Sequence, residues 1–301
     1  MPAKIIDGVA MAEEIRNDMK KVVAELRQQH NGQVPCLAFV IVGEQKASKS
    51  YVKFAHKALV EVGMTSLHVE LPEDVSKEVL EASIEDLNNN PNCHGILVQF
   101  PLPNFQSELL VVEKINPSKD VDGLRCRFRG LNCCHMQDPF FISCAAMGVM
   151  EMLRRCSIDM DGKHAVVLGK GSVVGVPVAA LLLKKCVLTI IDSSSSIEET
   201  MHSLGSADIV VSAIGKPGHI RGEWIKEGAV VVDVGTTPVA DPTKKDGYRL
   251  VGDVCFEEAA ARASWISPVP GGAGPMTVAM LLRNTLSAFM LTVGGLSPAY
   301  K

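Results

Sequence analysis

The sequence predicts an α/β protein of two units, each built on a parallel sheet covered by helices on both faces. Three observations predict it. Apolar runs of four to six residues, the mark of strands buried on both faces, alternate with segments of helical apolar spacing. The pattern restarts after about residue 145, where a strand runs into a glycine-rich turn and then a helix. The chain has 301 residues, about two domains at roughly 100–200 residues each.

In the first unit, Met11, Ile15, Met19, Val22 and Leu26 recur at helical spacing. Leu37-Ala38-Phe39-Val40-Ile41-Val42 reads as a buried strand. Tyr51, Ala55, Ala58 and Val62 form one helix face that stops at Gly63, a favourable C-cap residue. Residues 65–70 alternate as a short strand. Leu80, Ile84 and Leu87 mark another helix, broken by Asn88-Asn89-Asn90-Pro91, and Gly95-Ile96-Leu97-Val98 is a third strand. In the second unit, Ala165-Val166-Val167-Leu168 is a strand, residues 169–175 the glycine-rich turn and residues 176–184 a helix. Strands follow at residues 187–191, 208–211 and 229–232. Residues 275–291 read as a closing helix, and the residues after Gly294-Gly295 as a frayed end. The expected division is an N-terminal three-layer α/β domain over 1–145, completed by a C-terminal helix at 275–293, and a Rossmann-type dinucleotide-binding domain over 146–274.

Composition removes several function classes. There are 34 acidic and 30 basic residues, a formal charge of −4, so nothing neutralises nucleic-acid phosphate in bulk. A hydrophobic fraction of 47% excludes a disordered chain. The longest apolar stretches are too short for a bilayer: residues 176–183 end at Lys184-Lys185, and the C-terminal run is cut by Arg283. The nine cysteines include no C-x-x-C. Cys126, Cys133, Cys134 and His135 cluster in sequence but lack a second ligand set at metal spacing, so no metal and reduced thiols are expected. The segment from Met1 to Glu13-Glu14 has no signal-like apolar core, and Pro298-Ala299-Tyr300-Lys301 is no peroxisomal tripeptide, so a cytoplasmic protein is expected.

Four segments have the makings of chemistry. Gly169-Lys170-Gly171-Ser172-Val173-Val174-Gly175 lies between strand and helix, where glycines admit a pyrophosphate to the backbone and the helix N-terminus attracts its charge. Its G-x-G-x-x-x-G spacing is one residue longer than the usual fingerprint. Asp192 ends the next strand, where an acid meets a ribose 2′-hydroxyl, whereas Lys170 suits a 2′-phosphate. NAD and NADP are both open on these residues. Pro268-Val269-Pro270-Gly271-Gly272-Ala273-Gly274-Pro275-Met276-Thr277 is a side-chain-poor loop entering a helix, shaped for a flat ligand against backbone. Asp120 and Asp122 stand two apart in Lys119-Asp120-Val121-Asp122-Gly123-Leu124. Gln99, in Val98-Gln99-Phe100-Pro101-Leu102-Pro103, sits at a strand's C-terminal end, where open α/β sheets bind ligands.

Taken together, these motifs lie in the order and at the approximate separations of the bifunctional methylenetetrahydrofolate dehydrogenase/methenyltetrahydrofolate cyclohydrolase family, which the chain resembles from Ile6-Asp7-Gly8 to Thr277 and beyond. Gly222-Glu223-Trp224-Ile225-Lys226, Val231-Val232-Asp233-Val234-Gly235 and Gly252-Asp253-Val254 are also similar. The resemblance implies a folate-handling domain and a dinucleotide domain joined by two long helices, with the active cleft between them, in a homodimer. It implies hydride transfer from the one-carbon bridge of a tetrahydrofolate derivative to NADP, with NAD as the alternative. Water then opens the methenyl cation to formyltetrahydrofolate. It assigns Tyr51, Gln99 and Asp122 to catalysis, and the same three with Val98, Leu102, Pro270, Gly271 and Gly272 to substrate. To the cofactor it assigns Gly169, Lys170, Gly171, Ser172, Val174, Gly175, Ser193, Ala213, Gly215, Gly235, Thr236, Gly274 and Thr277.

The departures fall at the chemistry. The family's Y-x-x-x-K becomes Tyr51-Val52-Lys53-Phe54-Ala55, and Gly63 keeps the register. Lys53 and Lys57 lie two positions from Ala55, about 200° around a helix, and point away; His56 is about 100° off. A positioned acid or base is worth about 10²–10⁴-fold, and alanine supplies none. Hydride transfer depends more on alignment. The cyclohydrolase step is therefore expected to be weak or absent; a catalytically silent folate- or nucleotide-binding paralogue, or full activity through a substitute residue, are the other readings. The family's G-R-S is here Gly169-Lys170-Gly171, its C-T-P is Cys144-Ala145-Ala146, and an acid, Asp192, precedes Ser193 where a histidine is usual.

Overall fold

The computed structural model describes residues 2–103, 108–125, 141–244 and 247–294. Cys126, Cys133, Cys134, His135 and the segment expected to fray after Gly294 lie outside these residues. In chain order, β1 (Lys4–Ile5), α1 (Gly8–Gln29), β2 (Cys36–Val42), α2 (Lys46–Glu61), β3 (Thr65–Leu71), α3 (Lys77–Asn89), β4 (Gly95–Val98) and α4 (Glu108–Val112) come first. Next are α5 (Cys144–Arg155), β5 (His164–Leu168), α6 (Gly175–Leu182), β6 (Val187–Ile191), α7 (Ile197–Ser206) and β7 (Ile209–Ser212). Last are β8 (Val230–Asp233), β9 (Thr237–Ala240), β10 (Tyr248–Val251), α8 (Phe256–Ala260), β11 (Trp265–Ile266) and α9 (Ala273–Thr292).

Among the described residues, 13–125, 141–144 and 278–294 form one compact unit, and 2–12 with 145–277 form the other. This division departs from the sequence-drawn one at the chain start. There β1 pairs with β11, Lys4 opposite Trp265, so the first residues complete the sheet of the second half.

The first of these units has a parallel sheet in the order β3-β2-β4. All seven residues of β2 are buried, as a central strand covered on both faces requires. One face packs Ala38, Val40, Ile96 and Val98 against Leu80, Ile84 and Leu87 of α3. Ser76 caps that helix by accepting from the Val79 amide at 3.4 Å. At the other end of α3 the buried Lys119 ammonium donates to the carbonyls of Leu87, Asn88 and Asn90 at 3.0, 2.7 and 2.8 Å. On α1 the buried positions are Gly8, Ala12, Ile15, Met19, Val23 and Leu26, while Val22 is exposed. The helical period holds, but spacing of three and four suits either valine, and packing selected the second.

The dinucleotide-type unit has a six-stranded parallel sheet in the order β1-β11-β8-β7-β5-β6. Val166, Leu168, Val210, Val231 and Ile266 fill its core with Leu204, Ile220 and Ile225. An antiparallel pair, β9 with β10, stands apart from this sheet. Ser196 and Glu199 close a reciprocal capping box at the start of α7. The described cysteines, Cys36, Cys93, Cys144, Cys156, Cys186 and Cys255, are all free. Among the described residues no helix is long and apolar enough to cross a membrane.

Candidate functional site

In the first unit the candidate site is built on α2, the end of β4 and the turn after Lys119. Tyr51 and Ala55 are one helical turn apart on α2, and Ala55 is fully buried with Ala58 and Leu59. Lys53 and Lys57 are both exposed, on the other side of the helix. His56 is engaged elsewhere: its Nδ1 lies 2.9 Å from the Ser66 hydroxyl on β3, and its ring packs edge-on to His68. The face expected of Tyr51 and Ala55 therefore forms, and the two flanking lysines turn away from it.

Burial pushes the Tyr51 phenol well above its usual range, and the neighbouring Asp122 carboxylate reinforces the shift. The phenol stays protonated and acts as a hydrogen-bond donor near neutral pH. Asp122 also lies beside the Cys144 thiol, whose titration burial and that carboxylate raise. Asn284 of α9 fixes this corner from far along the chain. Its Nδ2 donates to the Val121 carbonyl at 2.7 Å and reaches the Cys144 sulfur at 3.4 Å. The two acids of the turn have separate duties. Asp120 accepts from the amides of Leu124 and Arg125 at 3.3 and 2.8 Å and holds the loop, whereas Asp122 faces Tyr51.

Gln99 follows β4 directly, its amide N–H donating to Val40 at 2.9 Å. Its side-chain Nε2 donates to the carbonyl of Phe100 at 2.8 Å. Among the described residues no ammonium or imidazole hydrogen-bonds to the Gln99 side chain. Val98 and Leu102 are buried in the sheet's apolar cluster. Tyr51, Ala55 and Gln99 together contain no group that titrates near neutral pH.

In the dinucleotide-type unit the glycine-rich turn leaves the C-terminal end of β5. A side chain at Gly169 would meet the Ala213 carbonyl oxygen at 2.3 Å, and one at Gly175 the Gly169 carbonyl oxygen at 1.9 Å. These two glycines are required by backbone on backbone. At Gly171 and Gly215 nothing lies within 4 Å of the added carbon. The open, side-chain-free backbone at Gly171, just before α6, fits a dinucleotide pyrophosphate, and Gly215 stands in the loop after β7. Lys170, Ser172, Ser193, Gly215 and Thr236 are exposed and Val174 and Ala213 half-buried along this edge, while Gly235 is buried.

Beneath the edge lies a pair of buried acids that sequence reading did not single out as functional. Asp253 accepts from the Ser212 hydroxyl and from the amides of Ile214 and Lys216, each at 2.9 Å. Asp233 accepts from the amides of Gly235 and Val254 at 3.0 and 2.9 Å. Together they hold the loops after β7 and β8. A side chain at Gly235 would strike Asp253, and one at Gly252 would strike Asp233. The G-D-V and V-D-V-G strings were the available signal.

The loop of residues 268–277 has a structural role besides any ligand. The Gly272 backbone packs against Gly8, where an added carbon would sit 1.9 Å from the Gly272 oxygen, and Val9 donates to Gly271 at 3.1 Å. Pro270 and Gly274 remain exposed, and the Thr277 hydroxyl donates back to Ala273 at 3.0 Å.

Comparison with known proteins adds two family matches and close relatives. Residues 6–122 match the tetrahydrofolate dehydrogenase/cyclohydrolase catalytic domain, and residues 143–293 match the NAD(P)-binding domain of the same family. The chain is 48% identical over 285 residues to bifunctional protein FolD 2 of Arabidopsis thaliana, covering 94% of each chain. It superposes with a TM-score of 0.93 on the Trypanosoma brucei methylenetetrahydrofolate dehydrogenase-cyclohydrolase complexed with NADP and an inhibitor. Identity there is 44%, over 97% of this chain and 99% of that one. The bifunctional FolD enzyme from Campylobacter jejuni gives a TM-score of 0.87 at 37% identity, over 95% and 98% of the two chains.

Proposed function

As the chain belongs to the tetrahydrofolate dehydrogenase/cyclohydrolase family, we propose that it is a methylenetetrahydrofolate dehydrogenase whose cyclohydrolase step is weak or absent. Hydride leaves the one-carbon bridge of methylenetetrahydrofolate for the nicotinamide of NADP, giving the methenyl cation and NADPH. Tyr51 and Asp122 orient the folate, the first as a donor and the second as an acceptor. The open turn at residues 169–175 receives the dinucleotide, and the likeness to the NADP-complexed trypanosomal enzyme favours NADP. The homodimer that the resemblance implies, and the cytoplasmic location expected from the sequence, belong to this reading.

The single observation behind the weak second step is the buried methyl group of Ala55. Addition of water to the methenyl carbon and opening of the ring each move a proton. The face that carries Tyr51 offers no cation to move it, because Lys53 and Lys57 are exposed on the opposite side and His56 is held by Ser66. Hydride transfer moves no proton through a side chain and depends on alignment instead.

The test pairs two assays on the purified full chain: reduced-nicotinamide absorbance with methylenetetrahydrofolate, and decay of the methenyl chromophore. Measurable dehydrogenase turnover with methenyl decay close to the uncatalysed rate is expected. Ala55→Lys should then raise methenyl hydrolysis by about 10²-fold or more. Hydrolysis well above background in the unaltered protein overturns the reading. Absence of both activities, unrescued by Ala55→Lys, replaces it with a silent folate- or nucleotide-binding paralogue.

A further inference from the structure

In a parallel sheet, neighbouring strands deliver their following loops side by side. Strands β5 and β6 are paired in parallel with Leu168 opposite Ile191, and the Gly169 amide donates to the Ile191 carbonyl at 2.7 Å. Lys170 and Asp192 therefore emerge together at the edge where the sheet meets a dinucleotide. They form an ion pair there, with the lysine side chain 67% exposed and the carboxylate 11%. The carboxylate is also built into its turn. Its Oδ1 accepts from the Ser194 amide at 2.9 Å and from the Ser194 hydroxyl at 2.5 Å. Asp192 is thus a fixed, ionised group, and Lys170 is a long side chain with room to leave it.

The two residues favour opposite cofactors. A carboxylate at the end of the second strand accepts from a ribose 2′-hydroxyl and repels a 2′-phosphate. An ammonium on the glycine-rich turn does the reverse. Lysine is a flexible point charge rather than a rigid fork, so it moves between partners more readily than arginine would. We propose that Lys170 is a two-position cation that makes this chain a dual-cofactor enzyme. It stays on Asp192 when the ligand carries a 2′-hydroxyl and swings to the phosphate when the ligand carries a 2′-phosphate. NADP binding then breaks the Lys170–Asp192 pair and brings a phosphate near a carboxylate, which narrows the NADP advantage. This inference rests on the reading of the chain as an NAD(P)-dependent dehydrogenase and deepens it.

The test is calorimetric titration of the full chain with NAD and with NADP, without folate, for the unaltered protein, Asp192→Asn and Lys170→Ala. Asparagine keeps an oxygen for the Ser194 amide, and a thermal melt confirms the fold. The unaltered protein is expected to bind both cofactors within about tenfold of each other. Asp192→Asn should tighten NADP about tenfold and weaken or leave NAD, while Lys170→Ala should weaken NADP at least tenfold with little change for NAD. Added salt should weaken NADP more than NAD. Equal effects on both cofactors, no effect on either, or no dinucleotide binding at all overturns the inference. The readout is binding, so these shifts in a protein that fails to oxidise methylenetetrahydrofolate would refute the proposed reaction while leaving the switch standing.

Discussion

At the scale of single residues, what decides chemistry is the partner each polar group finds. Asp120 and Asp122 are equivalent in the sequence, yet backbone amides claim the first and the second faces Tyr51. Lys119 belongs to the same motif, and its ammonium is buried against the end of α3, which removes it from any reaction. Asp233 shows how a buried acid reports on pH. Burial and the neighbouring Asp253 carboxylate push its carboxyl up to about 7, against two accepted amide hydrogen bonds that pull it down. The folded state holds this proton more tightly than the unfolded chain does, where the group titrates near 3.8. Its contribution to stability is therefore greatest in acid, is lost as pH rises from about 4 to about 7, and is level above that. Asp233→Asn should flatten that part of the melting-temperature profile. An unchanged profile between pH 4.5 and 7.5 would show that Asp233 is ionised throughout.

At the scale of elements, strands buried on both faces were legible because they are runs of apolar residues, interrupted in β8 only by the buried Asp233 that ends it. β2, β4 and β8 are buried at every position. Sequence reading passed over the two-residue strands β1 and β11, the short helices α4 and α8, the longer α5 and α7, and the β9–β10 pair, whose faces are only part-buried. α7 had a readable start signal, a serine followed three residues later by glutamate, and the structure closes that box in both directions. Ser196→Ala should cost about 1 kcal/mol, lowering the melting temperature of the unit by a few degrees. Glu199→Gln should cost less, because its amide oxygen still reaches the Ser196 amide. A neutral Ser196→Ala variant would mean that α7 is held by its buried Thr200 and Leu204 alone.

At the scale of the whole molecule, the sequence order and the units do not coincide. β1 belongs to the sheet of the second half, and most of α9 belongs with the first. Asn284 joins residues 163 apart when it donates to Val121. Loss of that side chain leaves the carbonyls of Val121 and Ile142 short of a buried donor, so Asn284→Ala should destabilise the folate-type unit by about 1–3 kcal/mol. Because the same turn presents Asp122, the variant should also raise the KM for folate more than it lowers kcat. A variant with full stability and unchanged KM would show that α9 is dispensable to the turn.

The sequence alone determined the α/β class, the glycine-rich turns at residues 169–175 and 268–277, the family and the alanine at position 55, because each is written in local order: apolar runs, spacing along a helix, and motifs contiguous in the chain. Tertiary structure alone decided which valine of α1 is buried, that Lys4 and Ile5 form a strand, that His56 is taken by Ser66, and that Lys170 meets Asp192. Those outcomes depend on which groups from distant segments come within a few ångströms, and a burial or hydrogen-bond partner has no representation in one dimension until the chain has closed on itself.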